Sequence, residues 1–355
     1  MGHRASFVVV QDGKRNLFYS NFGANTLPHD LFFGPDLALR SIEGLLPADS
    51  LLDEVWCEGA AFLDRDARRV LLYFEDTRYT SKLLPYYLAL SRYNWPGWEV
   101  CWADQGIVDI AIAIGINPNQ VRDDAFEEGF WKKAEVEVSR EESPVSLITI
   151  GCRNNAVDYG FEDLLTNILE WGPELIDRLK GYAQPPLYQD KDIEEGAYLN
   201  PERKEMWLWW TGHQDNRRVA RIASFWPGWS VRRHNEGLRK QVELSGRDAT
   251  RLDIDLDEAI QRIVRLLSEV GSSSAQLFDP AKALQTNVGD DQAAVVQIDL
   301  KDLRRFNPEF DAKAKEWILR RTIAAFRKGR ESHGSALTPA ADSAPEVSSW
   351  PSKTV

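Results

Sequence analysis

This sequence is poor in the residues and signatures that announce chemistry. Its 355 residues include three cysteines and five histidines. Cys57, Cys101 and Cys152 are odd in number and far apart. A zinc ribbon or a redox pair needs cysteines at short spacing, so neither is encoded here. The pattern fits buried free thiols in a reducing compartment. None of the histidines pair at i, i+4, and H-E-x-x-H, G-x-S-x-G, G-x-G-x-x-G and G-x-x-x-x-G-K-[ST] do not occur. The apolar run in "MGHRASFVVVQDG" is too short for a signal-peptide core. No run approaches the roughly 20 apolar residues that span a bilayer. "MGHRAS" fits the loose myristoylation pattern, but a strand beginning near Ala5 leaves little free anchor. The expected location is the cytoplasm.

Positive charge is also in deficit. The chain carries 43 Lys and Arg against 55 Asp and Glu, a formal net charge of −12. Nucleic-acid binders need a basic face, so the overall field argues against DNA and RNA. The same field would attract a basic protein and speed its encounter.

What is present is a repeat. "NWPGWEVCWADQG" at 94–106 returns as "FWPGWSVRRHNEG" at 225–237. "FGPDLALRSIEG" (33–44) matches "WGPELIDRLKG" (171–181), and "CEGAAFLDRDARRVLLYF" (57–74) matches "EEGAYLNPERKEMWLWW" (194–210). The order is the same throughout, and small offset changes fall in loops, where insertions are tolerated. The period is domain-sized and therefore not a solenoid repeat. The division expected is an α+β unit at 1–118, a connecting segment at 119–143, and a second unit at 144–250. A mainly helical extension (251–330) and a disordered tail rich in Ser, Ala and Pro (331–355) complete it.

Each unit reads as an antiparallel sheet with two helices on one face. "ASFVVVQ" and "RNLFYSN" flank an Asp12-Gly13 turn, and "CEGAAFL" and "RVLLYF" flank "DRDAR". Helix one starts at Pro35, where proline loses no hydrogen bond, and ends at Gly44. A second helix holds "SKLLPYYLALSRY", with Pro85 in its first turn. Trp-Pro-Gly-Trp suits a type II turn, with glycine supplying the positive φ. "IVDIAIAIG" alternates and is read as a strand, and "AEVEV" in the connecting segment suggests one more. In the extension, "LDEAIQRIVRLLSEVG" is a helix stopped by Gly271, "SSSAQ" a loop, "AAVVQIDL" a strand and "DAKAKEWILRRTIAAF" a last helix.

Candidate functional residues come from loops and from positions that differ between the copies. The loop "YSNFGANTLPHD" (19–30) is polar and offers Asn21, Asn25 and His29; copy two has "NNAVDYGFED" there. His213 and His234 follow two strands of copy two, with Asp215 and Glu236 nearby, and could converge on a metal. Ala103 matches His234, so the shared unit does not itself require an imidazole. Glu58 and Glu195 recur at matching places. Each could be half of an acid–base pair or could bond a backbone amide or an arginine. The 13 tryptophans are read mainly as core and turn, with a stacking surface as the sharper alternative. Arg320, Arg321, Arg327, Lys328 and Arg330 suit the C-terminal end of a helix dipole.

"MGHRAS", "EGAAFLDRDARRVLLYF" and "WPGWEVCWADQG" together resemble a group of uncharacterised bacterial proteins that share an MGxRA start and a WPGW motif. The resemblance covers residues 1 to 115. It implies a bacterial cytosolic protein and brings no activity or site. The functional expectation is a non-catalytic scaffold that binds another protein, such as an immunity-type protein neutralising a basic toxin. It needs no cofactor, no metal, no nucleic acid and no membrane. The alternative is an enzyme or small-ligand binder with a site in the cleft between the copies, and a carbohydrate-binding module is a third reading.

Overall fold

The computed structural model describes residues 3–76, 79, 82–122, 135–138, 144–151, 155–182, 193–211, 216–252, 254–276 and 308–333. The first unit runs β1 (Ala5–Gln11), β2 (Lys14–Ser20), α1 (Gly23–Phe32), α2 (Pro35–Ile42) and β3 (Leu46–Pro47). It continues with β4 (Gly59–Asp64), β5 (Arg69–Phe74), α3 (Leu84–Asn94), β6 (Glu99–Trp102) and α4 (Ile107–Ala113). The second unit runs β7 (Ser146–Ile150), β8 (Val157–Phe161), α5 (Leu165–Leu169), α6 (Glu174–Leu179) and β9 (Glu195–Asn200). It closes with β10 (Glu205–Trp210), α7 (Asn216–Phe225), β11 (Ser230–Arg233) and α8 (Gly237–Leu244). Two further helices follow, α9 (Leu256–Gln276) and α10 (Pro308–His333).

The fold is α+β, and the two units share one arrangement. Sheet one has the order β3-β2-β1-β4-β5-β6, and sheet two has β8-β7-β9-β10-β11. Apart from β3, these orders match strand for strand. The hairpins expected from the turns are present, β1–β2, β4–β5, β7–β8 and β9–β10, all antiparallel. The sheets are nevertheless mixed, because β1–β4, β5–β6, β7–β9 and β10–β11 pair in parallel. Two of these pairs follow from a single helix, since α3 and α7 carry the chain back across the sheet and β6 and β11 then run parallel to β5 and β10. In the other two a pair of helices intervenes, so β4 and β9 run antiparallel to β2 and β8 and therefore parallel to β1 and β7.

The repeated turn locks each unit in the same way. Pro96-Gly97 carries a Trp98 N–H to Trp95 carbonyl bond of 3.0 Å, and Gly97 has φ 76°. Trp229 to Trp226 is 3.1 Å, with Gly228 at φ 78°. Trp95 is buried and its indole donates to the Leu31 carbonyl at 2.8 Å; Trp226 donates to Leu169 at 2.7 Å. Each stacks edge-on against the second tryptophan of its motif, at 5.1 and 4.8 Å. Gly34 and Gly172 close this arrangement from the helix side. Both have positive φ, and a Cβ on either would lie 2.4 Å from a backbone oxygen, Asn94 or Phe225. Gly34→Ala and Gly172→Ala are each expected to destabilise by well over ~1 kcal/mol, since φ and space both oppose the methyl. Urea unfolding of the two variants measures it, and a loss below that value would remove the steric account.

Several sequence expectations are corrected. "IVDIAIAIG" forms α4, not a strand. Gly106 at φ 57° turns the chain, and the Asp109 carboxylate accepts from Gln105 N–H at 2.8 Å, closing the first turn. Ile107, Val108, Ile110 and Ala111 are all buried, and a short stretch that is apolar all round shows no helical period. Residues 19–30 are not a loop: α1 begins at Gly23 and buries Leu27, Leu31 and Phe32 at helical spacing. "NNAVDYGFED" contains strand β8, so the true counterpart of α1 is α5. Residues 135–138 form no strand; Val136 and Val138 instead pack against the core of copy two. Gly271 does not stop α9, which runs on through "SSSAQ" to Gln276; one helical glycine costs only about 1 kcal/mol. The expected strand "AAVVQIDL" lies outside the described residues, as do Cys152 and residues 334–355.

The extension belongs to the first unit. Ala259, Ile260, Ile263, Leu266 and Leu267 of α9 join its core, with Ile318, Leu319, Ile323 and Phe326 of α10 against it. Among the described residues no helix is long and apolar enough to cross a membrane.

Candidate functional site

The two units diverge where α3 and α7 face their partner helices. In the first unit Tyr87 is fully buried and its hydroxyl donates to the Pro28 carbonyl at 2.6 Å; Leu90 and Phe32 are buried beside it. The repeat places Arg218, Thr166, Arg221 and Glu170 at those same four positions. Arg218 Nε donates to Thr166 at 2.6 Å, and Arg221 Nη2 to the Glu170 carboxylate at 2.6 Å. Arg218 also pairs with Glu195, whose carboxylate accepts from Ser146 Oγ at 2.8 Å and from the Leu165 N–H. At these four positions an apolar cluster in copy one corresponds to an ionic cluster in copy two, beside the apolar core, and its carboxylates are held by arginines.

This answers the question raised by the recurring glutamates. Glu195 bonds a backbone amide and an arginine at the start of α5. Glu58 is half-buried: it meets His3 Nδ1 at 2.7 Å, and its charge adds to the burial that raises the carboxyl of Glu75, which accepts from the Tyr73 hydroxyl.

Arginines of α7 and β11 also carry the seam between the units. Arg217 pairs with Glu54 of the first unit, whose side chain is 4% exposed. Asp104 and Arg233 feel each other's charge across the same boundary without forming an ion pair. Burial raises the Asp104 carboxyl above its usual range and the Arg233 charge opposes that; burial lowers Arg233 and the Asp104 charge opposes that. In both links the acid comes from copy one and the arginine from copy two. Arg218 and Arg233 stack over Trp210, at 4.5 and 5.7 Å.

The candidate residues are scattered over both units. Asn21 and Asn25 are exposed at the beginning of α1, and Asn21 accepts from Tyr19 OH at 2.5 Å. His29 is buried in α1, with Asp30 at 3.2 Å and the Phe33 ring edge-on at 5.3 Å. His213 and Asp215 lie outside the described residues. Glu236 is exposed and pairs with Lys240 at 3.5 Å. His234 is 8% exposed, 6.4 Å from the Trp207 ring, and neither ring nitrogen has a hydrogen-bond partner. Burial lowers its pKa to about 4, helped by the Lys240 and Arg233 charges. His234 is thus a neutral imidazole, not a charged base. Among the described residues no three His, Cys, Asp or Glu side chains gather as a metal site.

Both described thiols are poor nucleophiles. Burial pushes Cys57 up to about 12 and Cys101 to about 11, so both stay protonated at neutral pH. Asp109, matched by Lys240 in copy two, is raised to about 6 by burial, against the Gln105 amide that bonds it.

Sequence reasoning missed Glu54, Asp104, Arg217, Arg218, Arg221 and Arg233. The available signal was "NRRVARIASF", which puts Arg217 and Arg221 one helical turn apart on a segment matched by apolar "LPYYLALSRYN". No protein-family model, no curated protein and no solved structure matches this chain.

Proposed function

We propose that this chain is a non-catalytic scaffold that binds a basic protein, in the manner of an immunity-type protein neutralising a toxin. One observation carries the reading. Four acids whose side chains are largely shielded from solvent, Glu54, Asp158, Glu170 and Glu195, are paired with Arg217, Arg247, Arg221 and Arg218. Such pairs cancel, so the whole surplus of −12 resides on groups outside them. A surplus of that size draws in a basic partner and sets a salt-dependent association rate. The matched sheets give two rigid platforms for the contact surface.

Copurification of the tagged chain from its source cytosol at moderate salt, with mass spectrometry, tests this. The expected result is one stoichiometric basic protein whose association slows as salt rises. A solitary chain, or a partner whose binding rate ignores salt, would count against the reading.

A further inference from the structure

We propose that the turn between β11 and α8 is a binding site for the carboxylate of a small ligand. The inference goes beyond the protein-binding reading and does not rest on it.

In copy one the equivalent turn holds a carboxylate of its own. The chain leaves β6, turns at Gly106 and enters α4. The Asp109 carboxylate folds back over that turn and accepts from the Gln105 N–H at 2.8 Å and from Gln105 Nε2 at 3.1 Å. Copy two repeats the backbone closely. Ala103 N–H bonds the Leu72 carbonyl at 2.9 Å, and His234 N–H bonds that of Leu208 at 3.0 Å. Gly106 and Gly237 have φ of 57° and 62°. The helices end on the same bonds, Ile114 N–H to Ile110 and Ser245 N–H to Gln241. The carboxylate is not repeated. Lys240 stands where Asp109 does, and an ammonium offers no acceptor. The first turn of α8 holds no acid, and the side chain of Glu236 makes no capping bond to it. Glu236 pairs with Lys240 instead, at 3.5 Å.

His234 points to the same place. It replaces the fully buried Ala103, is 8% exposed, and has no hydrogen-bond partner at either ring nitrogen. Burying polar nitrogens without partners costs stability, and a ligand that meets them recovers it. The ring lies 6.4 Å from that of Trp207, on the sheet face that α8 covers. Trp209, two residues along β10 on that face, packs with Leu238 and donates to Gln241, both of α8. Lys240 is near enough for its charge to act on the imidazole. Arg233 takes the other face, over Trp210. An imidazole N–H, the Glu236 N–H at the start of a helix and a lysine suit one carboxylate. Asn235 and Glu236 are exposed on the turn and give the approach. The ligand would accept from His234 and from the Glu236 N–H, as Asp109 accepts from Gln105, with Lys240 supplying the charge.

The test follows the ring nitrogens of His234 by NMR in the full chain with labelled histidine. Sodium acetate is the probe, set against sodium chloride and inorganic phosphate at equal ionic strength and neutral pH. The expected result is a saturable shift with acetate and none with chloride. Lys240→Asp installs the residue that copy one carries and so supplies the carboxylate internally. It should shift the ring before any acetate is added and abolish the acetate response. Lys240→Asn should leave the ring where it is in the parent and weaken acetate about tenfold. No saturable acetate shift, an equal shift with chloride, a response to phosphate in place of acetate, or parental acetate binding in Lys240→Asp would each overturn the proposal.

Discussion

Arg218→Ala is expected to destabilise the protein by ~3–5 kcal/mol, because it strands the buried Glu195 carboxylate without its counter-charge. Glu195 has a side chain 5% exposed and Arg218 one 13% exposed, so water can replace little of the lost partner. The Ser146 hydroxyl and the Leu165 amide would remain, but two neutral donors do not offset a full charge in a low-dielectric interior. The double variant Arg218→Met, Glu195→Gln should recover much of the loss, since it removes both charges and keeps an acceptor for Ser146. Denaturant melts of the parent, the single and the double variant decide it. A single variant within about 1 kcal/mol of the parent would show that the pair is not the buried anchor described here.

The second large effect concerns pH. His234 titrates near 6.5 when unfolded and near 4 when folded. The unfolded chain therefore binds the proton first as pH falls. Stability is full above about 6.5 and declines progressively toward 4. At 1.36 kcal/mol per pKa unit the total loss is about 3 kcal/mol. His234→Ala installs the residue that copy one carries at Ala103, which is fully buried there. The variant should match the parent within about 1 kcal/mol at pH 7.5 and exceed it by about 2–3 kcal/mol at pH 4.5. Asp109 acts in the opposite direction. Its folded pKa is raised to about 6, so its contribution is present below 3.8 and lost as pH rises through 6. The informative quantity is thus the difference between variant and parent at each pH. Parallel curves from pH 7.5 to 4.5 would show that the imidazole is not held neutral by its surroundings.

Much of the architecture could be read from the residues because the repeat supplied an internal comparison. Trp95 and Trp226 do the same job with the same indole bond, and Gly34 and Gly172 admit the same close carbonyl. Those constraints act locally, so they leave a local trace. Strand direction did not show, because it depends on where the helices return the chain and hairpin turns are silent about that. The helix α4 was hidden by its own burial, which erases periodicity. The ion-pair cluster beside the core of copy two was the larger gap. Arg218 and Glu195 are 23 residues apart, and Arg217 and Glu54 are 163 apart. Only the folded arrangement brings such groups together. The candidate histidines illustrate the converse. His29 and His234 drew notice as residue types, yet the contacts of each lie within its own unit, with Asp30 and Phe33 for one and Trp207 for the other.

The ion pair between Glu54 of copy one and Arg217 of copy two joins the two units. A double-mutant cycle on Glu54→Gln and Arg217→Gln, read by equilibrium unfolding of the full chain, probes that seam directly. The prediction is a coupling of ~1–3 kcal/mol, with the double variant less destabilised than the sum of the singles. Additivity within about 0.5 kcal/mol would contradict it and leave the units as separate beads on one chain.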